Sequence, residues 1–190
     1  MRADPRTVVQ SGDGIRVVHP LFQGEGDGAI PISPLQLHVD RVSPELAARL
    51  NEAWHSRLPK IDNYKNCIAY GAVFANHFYA VALWSDPVAR LLNGRGWFEL
   101  RRMAIAADAP KNTGSRMLKI MRLLLAKERP DVTRLISYQD VGVHLGTIYK
   151  AAGWTVETKP RFRSWTSPSR ARPDEQSKTA KQRWGIGLHN

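Results

Sequence analysis

The chain has 190 residues, 43% hydrophobic and 24% charged, a globular balance, and no run approaches the roughly 18 apolar residues of a membrane-spanning helix. Its 28 Lys and Arg face 17 Asp and Glu, a net charge of +11 that favours polyanionic partners such as nucleic acid or phosphorylated cofactors. The single cysteine, Cys67, excludes an internal disulfide and an all-cysteine metal site.

Residues 1–40 read as a Gly-rich loop segment with a loosely attached strand at Ile15 to His19, and MRADPRTVVQSGDG lacks the apolar core of an export signal, so a cytoplasmic protein is expected. A helix starts at Ser43: serine caps, Pro44 suits the first turn, and Glu45 complements the helix dipole. Leu46, Leu50 and Trp54 share one face of it, and Pro59 lies beyond its end. Cys67 to Phe74 and Phe78 to Trp84 are β-rich runs joined by Ala75-Asn76-His77, which predicts a hairpin. Ser85-Asp86-Pro87 starts a short helix through Leu92, Asn93 to Gly96 is a turn, and Trp97 to Ala106 is a strand.

The clearest helix is Thr113 to Lys127, with an apolar stripe of Met117, Ile120, Met121, Leu124 and Leu125. A strand over Val132 to Tyr138 follows, then a helix over Val143 to Ala152 closed by Gly153, then a strand from Trp154 to Glu157 that Arg161 to Trp165 extends. The order predicts an α+β fold, with a mixed central sheet flanked by helices and a core over residues 41–158. Residues 159–190 read as a basic C-terminal arm, packing on the core or on DNA. Eight cations there face only Asp174 and Glu175, and Pro160, Pro168 and Pro173 keep it extended. Its cations Arg161, Arg163, Arg170, Arg172, Lys181 and Arg183 suit phosphates, and Trp165 and Trp184 suit stacking on bases; the alternative is a solvated tail whose tryptophans fold back on the core.

The link Ala109-Pro110-Lys111-Asn112-Thr113-Gly114-Ser115-Arg116 joins a strand to a helix start. Free backbone N–H groups and the helix dipole make such a start an anion site, and Lys111 and Arg116 add charge. It is neither the nucleotide-binding loop ending in Gly-Lys-Ser/Thr nor the three-glycine dinucleotide fingerprint. Its placement resembles the coenzyme A-binding core of the GNAT acyltransferase superfamily. That resemblance implies an acetyl-CoA or related acyl donor, held by the strand Met103-Ala104-Ile105 and by Lys111, Asn112, Thr113, Gly114, Ser115 and Arg116. The usual loop is Gln/Arg-x-x-Gly-x-Gly/Ala; here it ends in Arg. Tyr149-Lys150-Ala151-Ala152-Gly153-Trp154 resembles the family's Tyr-x-x-x-Gly-Phe element, whose tyrosine is in many members a general acid.

A narrower resemblance covers most of positions 50–185. Trp54 to Pro59, Trp84 to Pro87, Glu99 to Ile105, Asp108 to Asn112 with Ser115-Arg116, Ser137 to Asp140, Gly146 to Trp154, and Lys181 to Trp184 stand in the order seen in the phage Mom DNA-modification family. This implies a GNAT-like transferase of the host cytoplasm that converts the exocyclic amine of adenine in double-stranded DNA to a carbamoylmethyl derivative and so shields phage DNA from restriction. It also implies an iron requirement. Two other readings stay open: a GNAT N-acetyltransferase acting on a small amine or protein, and a non-enzymatic DNA-binding accessory that has kept the fold. A small-amine acetyltransferase has little use for so basic an end.

The candidate catalytic residues are Asp140, Tyr149, Ser115, Arg101, Arg102 and His55. Each has a plainer reading. Arg101 and Arg102 lie mid-strand, on opposite faces by simple alternation, so one must meet an anion or a carboxylate such as Glu99. Asp140 is either catalytic at a strand end or the cap of the helix that follows. Ser115 either holds a phosphate or closes a helix start. His55 is a base, a metal ligand or a surface residue, and Cys67 reads as a buried inert thiol. The expected pairing of Asp140 and Tyr149 supplies a proton acceptor and a proton donor at one sheet edge.

Overall fold

The structure is a computed structural model that describes residues 30–54, 61, 63–158 and 180–189. The strand expected at Ile15 to His19, and His55, Arg161, Arg163, Trp165, Arg170 and Arg172, lie outside the described residues.

Apolar residues on both sides of one sheet organise the chain. The strands are β1 (His38–Val42), β2 (Ile68–Phe74), β3 (His77–Ser85), β4 (Trp97–Ile105), β5 (Arg134–Asp140), β6 (Thr155–Thr158) and β7 (Lys181–Gly187); the helices are α1 (Pro44–Trp54), α2 (Thr113–Glu128) and α3 (Thr147–Ala151). The sheet order is β1-β2-β3-β4-β5-β7-β6. β4 and β5, joined by the α2 crossover, run parallel, and the other neighbouring pairs are antiparallel. The mixed sheet and α+β class are as expected. Ser43 caps α1, its Oγ accepting the Leu46 N–H at 3.1 Å.

α1 covers one face with Ala47 and Leu50 on Cys67, Ala69, Val81, Leu83 and Ala104. α2 covers the other with Met117, Leu118, Met121 and Leu125 on Tyr70, Trp84, Phe98 and Leu100. On the α2 face an aromatic file runs toward the end of β5. Trp84 stacks on Phe98 and meets Trp154, Trp154 meets Tyr149, and Tyr149 stacks on Trp184 with ring centroids 5.4 Å apart.

Four expectations change. The helix expected from Ser85 is a single 3-10 turn, Arg90–Leu92. The helix expected over Val143 to Ala152 is only α3, Thr147–Ala151. Residues 141–146 form a turn closed on Asp140, whose carbonyl accepts the Val143 and His144 N–H groups and whose carboxylate accepts that of Gly142; left-handed Gly146, φ 70, separates this turn from α3. β1 is an unexpected edge strand. Last, residues 181–187 are not arm. They form β7, hydrogen-bonded between β5 and β6, and the tryptophan assigned to DNA, Trp184, is buried at 2% exposure with its indole N–H on Gln139 Oε1 at 2.6 Å. Arg183, also assigned to DNA, ion-pairs with Glu157 at 2.8 Å and lies 5.3 Å from the Trp97 ring centroid. A strand of seven residues buried on one face has more to gain in the sheet than on a ligand, since its backbone groups are satisfied there. Lys181 stays exposed.

A chain cut after Glu157 would therefore lose a central strand as well as charge. Trp184→Ala is expected to destabilise the fold by about 3–5 kcal/mol, the usual loss for a buried Trp, measured by urea denaturation; a change under about 1 kcal/mol would contradict its place in the core.

Candidate active site

The site starts from a break in the sheet. β4 and β5 pair only from Trp97↔Arg134 to Leu100↔Ser137. Beyond these residues β4 follows β3 as far as Ile105, while β5 follows β7 as far as Asp140. The backbone of residues 101–105 therefore has no ladder partner on its β5 side. Arg101 sits at the start of this gap as a β-bulge: Leu83 pairs with Arg102 and Trp84 with Leu100, so Arg101 has no partner.

The bulge overturns the simple alternation of the arginines. The extra residue resets the period, and both side chains fall on the α1 face with Glu99. Arg101 Nη1 donates to Ser85 Oγ at 3.2 Å, beside the Glu99 position. Arg102 Nη1 donates to the Arg101 carbonyl at 2.8 Å, while its Nε is buried without a hydrogen-bond partner. Burial and the neighbouring Arg101 cation lower the Arg102 pKa, and burial raises that of Glu99 against the pull of the Val88 N–H and both arginines. Glu99 accepts that Val88 N–H at 3.1 Å. A buried carboxylate beside two guanidiniums is a group that sequence alone showed only as a possible ion-pair partner.

On the α2 face, the Tyr149 hydroxyl shares a buried 2.9 Å hydrogen bond with Ser137 Oγ. Desolvation raises the Tyr149 pKa, so the phenol stays protonated, a donor rather than a base. The expected partner, Asp140, is not there. β5 keeps an unbroken register from Arg134 to Asp140, so Ser137 and Asp140 project to opposite faces. The strand separates the two groups, and Asp140 Oδ1 instead accepts the Gly142 N–H at 3.0 Å. Sequence marked Ser137 only within the Ser137 to Asp140 motif; its contact with Tyr149 depends on where α3 packs.

At the start of α2, Asn112 is left-handed with φ 67. Thr113 N–H bonds the Pro110 carbonyl and Arg116 N–H the Asn112 carbonyl, so among the described residues no acceptor meets the N–H groups of Gly114 and Ser115. Gly114 is there for proximity: a Cβ would lie 2.9 Å from Ile105 Cδ1, 3.1 Å from Met103 Cε and 3.2 Å from Ile148 Cγ2. A valine would disturb packing as well as any ligand, so Gly114→Val cannot leave stability untouched. Ser115 is engaged, its Oγ donating to the Asn112 carbonyl at 3.1 Å. Arg116 does not face the loop; its Nη1 donates to the Leu37 carbonyl at 2.9 Å, tying α2 to the approach of β1. Lys111 is exposed. A cleft of about 150 Å³ lies here, lined by Ile105, Pro110, Asn112, Thr113, Gly114, Ser115, Thr147, Ile148 and Ala151. Among the described residues no three His, Cys, Asp or Glu side chains form a metal-binding group, so the iron that the resemblance implied gains no support from them. Cys67 is buried, and burial pushes its thiol pKa up, which makes it inert as expected.

The parting of two parallel strands beyond a bulge, with a helix start at the gap, belongs to an acyltransferase-like fold. Solved structures similar to this one include a ribosomal-protein alanine acetyltransferase from Vibrio fischeri (8% identity, 82% of this chain and 94% of that one, TM-score 0.59), an IAA acetyltransferase from Bacillus cereus (12%, 80% and 99%, 0.52) and a Bacillus subtilis acetyltransferase in complex with CoA (11%, 80% and 98%, 0.51). No curated protein matches the chain in sequence. The family profile described as the Mom protein family matches residues 36–184, and the chain belongs to that family.

Glu99 gives a pH test. Its raised pKa means that the folded protein holds the proton more tightly than the unfolded chain. The stability this contributes is present below the unfolded value of 4.5 and is lost as pH rises through the folded value. Glu99→Gln keeps the acceptor for Val88 and is expected to be more stable than the parent at pH 7, the difference vanishing below pH about 4. Denaturation midpoints across pH 3–7 check this; a variant less stable at pH 7 and equal at pH 3 would reverse the sign.

Proposed function

We propose that the protein is a DNA-modifying transferase that converts the exocyclic amine of adenine in double-stranded DNA to a carbamoylmethyl derivative and thereby protects that DNA from restriction. The observation that carries this is the family match, which spans every element of the site from β1 to Trp184. The net charge of +11 supports a polyanionic substrate.

A coenzyme A thioester or related acyl donor fits the start of α2. The unsatisfied N–H groups of Gly114 and Ser115 suit its phosphates, and the unpaired edge of Met103, Ala104 and Ile105 suits its amide arm. Acyl transfer from a thioester would leave an amide on the amine, so the carbamoylmethyl product would require a donor whose methylene carbon bears the leaving group; such a donor would supply that carbon, and its leaving group would depart with the bonding electron pair. The chain's own residues handle the protons. Adenine's amine is a poor nucleophile because its lone pair is delocalised into the ring. As the new C–N bond forms, the amine loses one proton and the leaving group gains one. Tyr149, neutral through burial and aligned by Ser137, donates on the α2 face. Asp140, half-buried on the opposite face at the end of β5, accepts from the amine side. Arg101 and Arg102, beside Glu99, place positive charge where the strands part. His55 is a further candidate base, and the basic residues of 159–179 are a candidate DNA contact.

Mass spectrometry of nucleosides from DNA of cells expressing the protein tests the reading. The expected result is an adenosine derivative heavier by a carbamoylmethyl group. A derivative heavier by an acetyl group would instead mark an ordinary acetyltransferase, and unmodified nucleosides would overturn the enzymatic reading. Tyr149→Phe is expected to lower the modified fraction about 10²–10⁴-fold with the fold intact; modification at the parent level would remove Tyr149 from the chemistry.

A further inference from the structure

The end of β5 and the loop after it project apolar side chains that a protein surface ordinarily hides. Tyr138, Val141, Val143 and Leu145 are exposed, Leu145 at 87%, so four of the twelve large exposed hydrophobics among the described residues fall within eight positions. Such clustering marks a contact site rather than chance exposure.

The projection is also held stiff. Val141 N–H bonds the Ala180 carbonyl at 3.2 Å, Val143 and His144 N–H bond the Asp140 carbonyl at 3.2 and 3.0 Å, and Gly142 N–H bonds the Asp140 carboxylate at 3.0 Å. The Gln139 amide donates to the His144 carbonyl, and its Oε1 holds the Trp184 indole. Gly146 closes the loop with φ 70, and a Cβ there would lie 2.6 Å from both Gln139 Oε1 and Trp184 Cζ2. A loose loop would fold Leu145 onto the surface; this one, held by five hydrogen bonds, keeps it outward.

We propose that Leu145 is a wedge that enters the DNA duplex and fills the space left by an adenine swung out toward the gap between β4 and β5. The inference rests on the DNA-modifying reading and states how a paired base reaches the site. An exocyclic amine inside a base pair is out of reach of Tyr149, which is buried, so the base must leave the stack. Apolar side chains are the usual wedge, since they replace stacking contacts without requiring a hydrogen bond. Leu145 precedes α3, whose Thr147 and Ile148 line the cleft. The surroundings suit a phosphate backbone: Lys181 beside Asp140, Lys150 in α3 and Lys111 across the cleft are all exposed.

Duplex DNA with 2-aminopurine in place of several adenines tests this, because that base fluoresces when unstacked. The parent protein is expected to bind the duplex and raise its fluorescence several-fold. Leu145→Ala, at an exposed position outside the core, is expected to bind within about threefold of the parent but to give no rise, and Leu145→Met to restore it. In cells, Leu145→Ala should cut modified adenine at least tenfold. An undiminished fluorescence rise with Leu145→Ala overturns the wedge. So does weakened coenzyme A binding by that variant with fluorescence per bound duplex unchanged, which would place Leu145 in the donor site. Failure of the parent protein to bind any duplex overturns the DNA reading itself, and the wedge with it.

Discussion

The ring of Tyr149 lies between Trp154 and Trp184, and much of the site depends on that packing. Trp184 is fixed by its indole hydrogen bond to Gln139, and Gln139 in turn holds the carbonyl of His144. One buried amide thus joins the late strand β7, the loop after β5 and the start of α3. Because Ser137 and Gln139 share a face of β5, the same strand positions the tyrosine hydroxyl and the tryptophan that stacks on it. A buried network of this kind specifies one arrangement because each polar atom left unpaired would be costly.

The sheet separates two kinds of chemistry. The α2 face is aromatic, dry and near-neutral, and it holds a phenol that desolvation keeps protonated. Near the gap, the α1 face carries Glu99, Arg101, Arg102 and Asp140. The bulge at Arg101 creates this division: without the extra residue one arginine would point into the aromatic core, where a lone guanidinium is costly. The parting of β4 from β5 leaves the backbone of residues 101–105 open on its β5 side, between these two faces. Solved acetyltransferases share the fold at 8 to 12% identity, so the backbone arrangement is kept where side chains are not.

What the sequence determined by itself was local. Ser43 and Pro44 start α1, the apolar stripe from Met117 to Leu125 defines α2, and Trp97 to Ala106 reads as a strand, because capping chemistry and periodicity act over a few residues. The motifs from Glu99 to Trp184 carried the family. Tertiary structure decided the rest, because its causes lie far apart in sequence. Residues 181–187 read as a charged tail, yet they pair with β5, about 45 positions earlier. Asp140 and Tyr149 looked like partners at a spacing of nine, but strand alternation and the late start of α3 put Ser137 under the tyrosine instead. The bulge at Arg101 was invisible because it exists only in the mismatch between two strands, and no residue type announces a mismatch.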